Sequence, residues 1–255
     1  MTKGELTIFG GTKCWNPSDW TASDDQVRGG KSQSYLDCVS SDSVAHFNGE
    51  LDIKTLGGAG FASQRTTGED RLWDLKGYDG IQLDIIKADK KRYTFILKDE
   101  LLPKNPHNGR EQSTVSYEYN FTIDSENSSS ERGAFIFIPW KDLKATYRGK
   151  EKKDVSALDT KKVKRISIMM RSFFGDQEGA FSLSIQSIKA VSLPSGPEEG
   201  LLETSGEEAA GPLSGGILTR PRDTSRWLTL LLAGASAYWL YFVAYKWIMK
   251  RACRS

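Results

Sequence analysis

The sequence has very few of the side chains that most often build metal and redox sites. Its 255 residues include three cysteines, Cys14, Cys38 and Cys253, and two histidines, His46 and His107. No Cys-x-x-Cys or His-Glu-x-x-His motif occurs, and we interpret the two histidines as structural residues of a strand and of a loop. The sequence therefore predicts no metal site and no cofactor.

Also lacking is an excess of charge of either sign. The 35 basic and 33 acidic residues give a formal net charge of +2, too small for the positive field of a nucleic-acid-binding protein. Three cysteines permit at most one disulfide before the final apolar segment, as is typical of a reducing compartment. The first fifteen residues resemble neither a secretory signal nor a mitochondrial presequence. We therefore expect the amino-terminal domain to face the cytosol and to have no nucleic-acid partner.

Long helical periodicity is missing from residues 5–190, where apolar and polar side chains alternate instead. Large apolar groups take every second position of 117–123, which places them on one face of a strand. The stretch 134–138 is apolar on both faces, which predicts a strand covered on each side and ended by Pro139. About nine or ten such strands predict an all-β sandwich of jelly-roll type, with two antiparallel sheets, over residues 1–191.

Turn signals predict which strands are neighbours. Asn48-Gly49, the clearest signal, predicts a two-residue type I′ turn between two short strands. Two further hairpins are predicted from turn-forming residues between alternating segments. The three predicted pairs are 44–47 with 51–53, 81–85 with 93–97, and 166–170 with 181–185.

The composition changes at Ser192. Residues 192–226 are rich in Gly, Pro, Ser and Glu, which predicts a flexible linker. Residues 227–248 form one apolar run with Trp and Tyr near its ends, about 33 Å long as a helix, which predicts a transmembrane helix in the lipid bilayer. A short basic tail, 249–255, follows. We expect a single-pass, C-terminal membrane anchor with the domain on the cytosolic side.

Few residues are arranged for catalysis. The glycine-rich run 57–60 lacks the Lys-Ser/Thr of a phosphate-binding loop and a following helix, so we interpret it as a turn before a strand. Neighbouring carboxylates on a strand point to opposite faces, so neither Asp24 and Asp25 nor Asp99 and Glu100 are expected to converge on a substrate. The first pair is interpreted as a cap of the tight turn that follows it, with calcium binding as the alternative. The sequence predicts no catalytic residue and no enzyme.

One stretch carries a family resemblance. Trp20 and residues 23–34 (SDDQVRGGKSQS) resemble the signature of the complex I intermediate-associated protein 30 (CIA30) family. Further segments agree in the same order, so that the resemblance covers about residues 5–190. These segments are Phe47-Asn48-Gly49, residues 57–63, Tyr78-Asp79-Gly80 with Tyr93, Ile138-Pro139-Trp140 and residues 179–183.

The resemblance implies a galactose-binding-like jelly roll and a non-catalytic role. Mitochondrial members of the family act as chaperones in the assembly of respiratory complex I, the NADH:ubiquinone oxidoreductase, which implies a protein client and a mitochondrial setting. The sequence departs from the family pattern in three ways. Arg28 stands where methionine is usual, the first residues do not resemble a mitochondrial presequence, and an apolar segment follows the domain. These departures favour a membrane-tethered adaptor that has kept the fold.

The resemblance also implies where a client would bind. The partner-binding candidates are Trp20, Asp25, Arg28, Gly29, Gly30, Ser32 and Phe61. The competing interpretation is structural: the two glycines permit a tight turn and Trp20 fills the end of the sandwich. A second predicted function is carbohydrate binding on an aromatic platform formed by Trp15, Trp20, Trp73 and Trp140. An oxidoreductase would need a nucleotide site, for which no motif is present.

Overall fold

The structure, a computed structural model, describes residues 4–39, 43–123 and 133–193. Most of the predicted linker (192–226) and all of the predicted transmembrane helix (227–248) lie outside these residues. Among the described residues we find no helix with the length and apolar character that a membrane crossing requires.

The first sheet has six antiparallel strands, and its longest strand organises it. In spatial order the strands are β3 (Gln33–Val39), β4 (Val44–Leu51), β13 (Gly179–Val191), β6 (Gly80–Ala88) and β9 (Ala134–Pro139), with β1 (Glu5–Gly10) also on β13. Strand β13 pairs with β4 through its first half and with β1 through its second half. On its other side β13 pairs with β6, so it is the central strand of this sheet.

The second sheet has seven antiparallel strands. In spatial order they are β11 (Lys150–Glu151), β10 (Lys144–Tyr147), β8 (Ser116–Phe121), β7 (Tyr93–Lys98), β12 (Arg165–Arg171), β5 (Phe61–Thr66) and β2 (Trp20–Ala22). Single-turn 3-10 helices occur at Pro17–Asp19, Asp25–Arg28 and Trp140–Asp142. The fully buried side chains of alternate strand positions, such as Phe95 and Ile168, face the first sheet and form the core. The predicted all-β sandwich is confirmed.

Two of the predicted hairpins are wrong, although their strands are present. Strand β6 lies in the first sheet and β7 in the second, and β12 and β13 are divided in the same way. The turns between them therefore cross from one sheet to the other. Alternation identifies the buried face of a strand but does not distinguish a partner beside it from a partner across the core.

The hairpin predicted at Asn48-Gly49 is also wrong, because both residues lie inside the continuous strand β4. A Cβ on Gly49 would lie 2.0 Å from the carbonyl oxygen of Gln33 and 2.9 Å from Cζ of Phe181. Glycine is required here for the close approach of a neighbouring backbone and an aromatic ring, and not for a turn.

Strand β9 is not covered on both sides as predicted. It is an edge strand, paired only with β6 among the described strands, and Phe135 is 66% exposed. Its end at Pro139 is confirmed. This run, apolar on both faces, therefore forms an edge strand of the first sheet, and Phe135 on one of its faces is exposed to solvent.

The rare side chains have structural places. His46 lies in β4, where its Nδ1 is 2.8 Å from Oγ of Ser184, and His107 lies in the loop between β7 and β8. Cys38 is a free thiol, and burial raises its pKa to about 11 with a further contribution from the charge of Asp37. The thiol is neutral at physiological pH and is therefore a poor nucleophile.

Candidate functional site

Strand β2 separates from β5 after Ala22, and two carboxylates continue the hydrogen-bond ladder. The backbone N–H of Ser63 donates to Oδ1 of Asp24 (2.8 Å), and the N–H of Phe61 donates to Oδ2 of Asp25 (3.1 Å). Both donors belong to β5. The acidic side chains thus supply the acceptors that a β2 backbone would otherwise provide.

The same carboxylates also bind the edge of the first sheet. Ser34 donates to Asp24 through its N–H (3.0 Å) and its hydroxyl (2.6 Å). Ser32 donates to Asp25 in the same two ways, at 3.0 and 2.7 Å. We call Asp24, Asp25, Ser32 and Ser34 the carboxylate clamp. It joins β5 of one sheet to the chain entering β3 of the other.

The clamp corrects the interpretation of Asp24 and Asp25 as a turn cap. Asp24 precedes the 3-10 helix Asp25–Arg28 but makes no side-chain bond to its first turn. Each carboxylate instead accepts three hydrogen bonds from serines and from β5. The described residues contain no group of three or more His, Cys, Asp or Glu side chains placed to bind a metal ion.

The clamp divides the partner-binding candidates into buried and exposed residues. Asp25 and Ser32 are fully buried, and Trp20 is almost so, which leaves them unable to contact a partner directly. A Cβ on Gly30 would lie 2.2 Å from Oδ1 of Asp25, so this glycine belongs with the clamp. The remaining candidates, Arg28, Gly29 and Phe61, reach the surface.

The exposed residues form a short projecting surface. Val27 is 65% exposed, and the guanidinium of Arg28 lies over the ring of Phe61, 5.4 Å from its centroid. Gly29 ends the 3-10 helix in the left-handed region with φ of +82°. We call Val27, Arg28, Gly29 and Phe61 the display turn. It presents an apolar side chain and a cation on a base that the clamp holds.

An exposed aromatic residue that the sequence pattern does not reveal lies near the display turn. Phe174 is 96% exposed in the loop that follows β12. The N–H of Ser172 in the same loop donates to the carbonyl of Gly60 (3.0 Å), immediately before Phe61. Phe174 therefore lies at the same end of the second sheet as the display turn. A single phenylalanine beside a turn gives no sequence signal that separates it from a core residue.

The aromatic platform predicted for carbohydrate binding is not formed by the four tryptophans. Trp15 and Trp20 are buried in the core, with their ring centroids 5.8 Å apart, and Phe9 packs against both. Trp73 and Trp140 are half-buried and pack against the same core. Trp20 thus fills the interior of the sandwich, as its structural interpretation predicted.

The outer face of the second sheet carries basic side chains that sequence analysis also missed. Arg171 contacts Glu118 (2.7 Å) and Asn120 (2.9 Å), and Arg65 and Arg165 share Glu111. These residues are far apart in sequence, so only the pairing of the strands brings them together. The outer face is polar and cationic where the inner face is apolar.

Comparison with known sequences gives one family. The chain matches the sequence model described as Complex I intermediate-associated protein 30 (CIA30) over residues 9–185. A protein of Schizosaccharomyces pombe, described as uncharacterised, is 44% identical over 189 residues, which cover 73% of this chain and 84% of that protein. The match extends across the described strands from β1 into β13.

Solved structures to which this chain is similar include carbohydrate-binding modules. The family 11 module of a cellulosomal cellulase of Clostridium thermocellum has a TM-score of 0.49 and 16% identity, covering 74% of this chain and 95% of the module. The module in complex with a β-1,3-1,4-mixed-linked tetrasaccharide has a TM-score of 0.48 and 16% identity, with coverage of 74% and 96%. A family 28 module specific for non-crystalline cellulose has a TM-score of 0.34 and 12% identity, with coverage of 74% and 94%.

Proposed function

The chain belongs to the complex I intermediate-associated protein 30 family, and from this premise we propose that it is a non-catalytic assembly factor that holds a protein client during the assembly of respiratory complex I. The observation that carries the proposal is the family match over residues 9–185, which includes the clamp and the display turn. A fold alone does not define a function, so we assign the client surface to particular residues, those of the display turn.

Three of the four carboxylates considered for acid-base chemistry have structural partners. Asp24 and Asp25 each accept three hydrogen bonds from the donors of the clamp. Asp99 accepts the backbone N–H of Asp159 (2.9 Å). A general base needs a free oxygen within reach of a substrate proton, which supports a binding role for this domain.

The display turn has the properties of a protein-binding surface. Val27 and Phe174 place apolar side chains in solvent at one end of the second sheet, and Arg28 adds a cation over Phe61. The clamp fixes the turn before binding, so that little conformational entropy is lost when a client docks. Arg and aromatic side chains held in this way are frequent centres of binding energy.

We also propose that residues 227–248 tether the domain to a mitochondrial membrane. Support for the membrane comes from the length and apolar character of this run, and support for the mitochondrion comes from the family. Such a tether would restrict the search for a client to the surface of one membrane.

The experiment is complementation in cells that lack the protein. We expect Val27→Asp combined with Arg28→Glu to lower the amount of assembled complex I, measured on native gels and by its NADH:ubiquinone oxidoreductase activity. Two residues at the centre of an interface contribute about 2 kcal/mol or more, which is more than tenfold in client affinity. The variant is expected to accumulate and unfold like wild type, because both side chains are exposed.

Leu72→Asp is the matched control. Leu72 is 61% exposed, close to the value for Val27, but lies beyond the opposite end of β5. We expect it to restore complex I fully. Full restoration by the double variant would remove the display turn as the client surface, and normal complex I in cells without the protein would remove the proposed function itself.

A further inference from the structure

Three cations meet one carboxylate on the outer face of the second sheet. Arg65 lies on β5, Arg165 on β12 and Lys98 on β7, where Lys98 is directly opposite Arg165. Glu111, in the loop after β7, contacts Arg65 through Oε1 (2.8 Å) and Arg165 through Oε2 (2.8 Å). We call Arg65, Lys98 and Arg165 the three-cation cluster. Its positive charge exceeds the negative charge that Glu111 supplies.

The donors of the cluster also exceed its acceptors. Arg165 is only 5% exposed, and the buried Nε atoms of Arg65 and Arg165 have no hydrogen-bond partner among the described residues. Nζ of Lys98 donates to Oγ1 of Thr114 (3.1 Å), and an ammonium group has three hydrogens to donate. Buried polar groups without partners are destabilising, so a further acceptor beside these atoms would stabilise the cluster.

The electrostatics of the cluster agree with this geometry. Burial lowers the pKa of Lys98, and the charge of Arg165 lowers it further, against the opposing effect of Glu111. Burial likewise lowers the pKa of Arg65, with Arg165 acting in the same direction. An anion entering beside these groups would offset both effects.

A cavity of ≈ 230 Å³ lies next to the cluster. Lys98, Arg165, Glu111 and Glu69 line its polar side, and Leu101, Leu102 and Pro103 form an apolar wall. Glu69 is paired with Lys104 (3.4 Å), which is not part of the cluster. This volume is below the range of about 300–1,000 Å³ that drug-sized ligands occupy. The space suits one acidic group with a short aliphatic stem.

We propose that this cavity binds a carboxylate group, which takes donors of Arg165 and Lys98 that Glu111 leaves unused. The fork of a guanidinium matches a carboxylate, and Glu111 already shows how a carboxylate lies between Arg65 and Arg165. The carboxylate comes either from a free dicarboxylic acid or from an acidic side chain of a peptide. The proposal goes beyond the assembly function and does not depend on the display turn.

The test titrates the full-length protein in detergent with two probes. One is glutarate, and the other is a capped pentapeptide in which serine and glutamate alternate. Glutaramide and the glutamine form of the peptide are the neutral controls. The measurements are the calorimetric Kd and the NMR signals of the arginine Nε–H groups, among which that of Arg165 is expected to shift.

Two variants separate a binding site from a purely structural ion pair. Glu111→Gln removes the internal carboxylate and keeps the size of the side chain, so we expect it to tighten probe binding about tenfold. Lys98→Gln is expected to weaken binding about tenfold. Lys150→Gln, on the exposed strand β11 of the same sheet, is the matched control and should bind like wild type.

Each outcome has a defined meaning. Binding of glutarate alone would assign the site to a free dicarboxylic acid, and binding of the peptide would assign it to acidic segments of a protein. No shift of the arginine signals with either probe, in wild type and in Glu111→Gln alike, would overturn the proposal. Unchanged binding in Lys98→Gln would also overturn it. Neither result bears on complementation by the display-turn variants, so the two proposals fail separately.

Discussion

At the residue scale, Gly29 and Gly30 are adjacent glycines with different physical requirements. Gly29 has φ of +82°, a conformation that side chains with a Cβ disfavour, but no described atom lies within 4 Å of the position of its Cβ. Gly30 does not have a positive φ, yet its Cβ would lie 2.2 Å from Oδ1 of Asp25. The first glycine is required for its backbone conformation and the second for space.

Alanine substitutions distinguish the two requirements. We expect Gly29→Ala to lower the free energy of unfolding by about 1 kcal/mol, the penalty for left-handed backbone. Gly30→Ala displaces the carboxylate of Asp25 from donors on Ser32 and Phe61, so we expect a loss of about 3 kcal/mol or more. Urea unfolding of the full chain, followed by tryptophan fluorescence, measures both. Equal losses would show that the clamp tolerates displacement of Asp25.

The clamp also shows how far individual residues could be predicted. The family resemblance located Asp25, Gly30 and Ser32, but it placed them on a binding face. Their role could not be derived from local pattern, because the bonds join Asp25 to Phe61, which is 36 residues further along the chain. Phe174 could not be predicted either, because only its exposure in the folded structure distinguishes it from a core phenylalanine.

At the scale of elements, the alternation of apolar and polar residues predicted where strands lie but not which strands pair. The segments 81–85 and 93–97 are both strands, as predicted, but the second is buried on both faces. They pack across the core instead of side by side, because the turn that joins them changes sheets. Which of these two arrangements occurs depends on the whole set of strand pairings, and this information is not contained in either segment.

The pairing of β6 with β13 includes a partly buried ionic contact with a predicted pH dependence. Burial opposes the ionisation of Asp84, but hydrogen bonds from Ser187 and Gln82 and the charge of Lys189 (3.2 Å) outweigh it and lower the pKa of Asp84. A carboxyl whose pKa is lower in the folded state stabilises the fold above its unfolded pKa. That stabilisation is lost as the pH falls through the folded pKa.

Asp84→Asn tests this linkage. We expect the variant to be less stable than wild type near neutral pH, because Lys189 and Ser187 lose a charged acceptor. The difference in the free energy of unfolding should shrink as the pH falls from about 6 to about 2, since wild-type Asp84 becomes neutral. Urea unfolding at several pH values measures it, with the exposed Asp70→Asn as control. A difference that stays constant or grows in acid would contradict the assignment.

At the scale of the whole molecule, the domain and the proposed tether are expected to contribute separately. The described strands end at Val191, close to the end of the matched family region. If residues 192–226 are a flexible coil, as the sequence predicts, they would span on the order of 30 Å root-mean-square, and a tethered domain would search a volume close to the membrane. The proposed tether would then raise the effective concentration of client without contributing a contact to it.

Deletion of residues 227–255 therefore has a two-part expected outcome. The truncated chain should move from the carbonate-resistant membrane fraction to the soluble fraction, and at native expression it should restore complex I only in part. Raising its expression should recover assembly, because concentration replaces what the tether supplied. Protease treatment of intact mitochondria determines which side of the membrane the domain faces. A full-length chain that carbonate extracts would contradict the tether, and a truncated chain that stays inactive at high expression would show that residues 227–255 contact the client themselves.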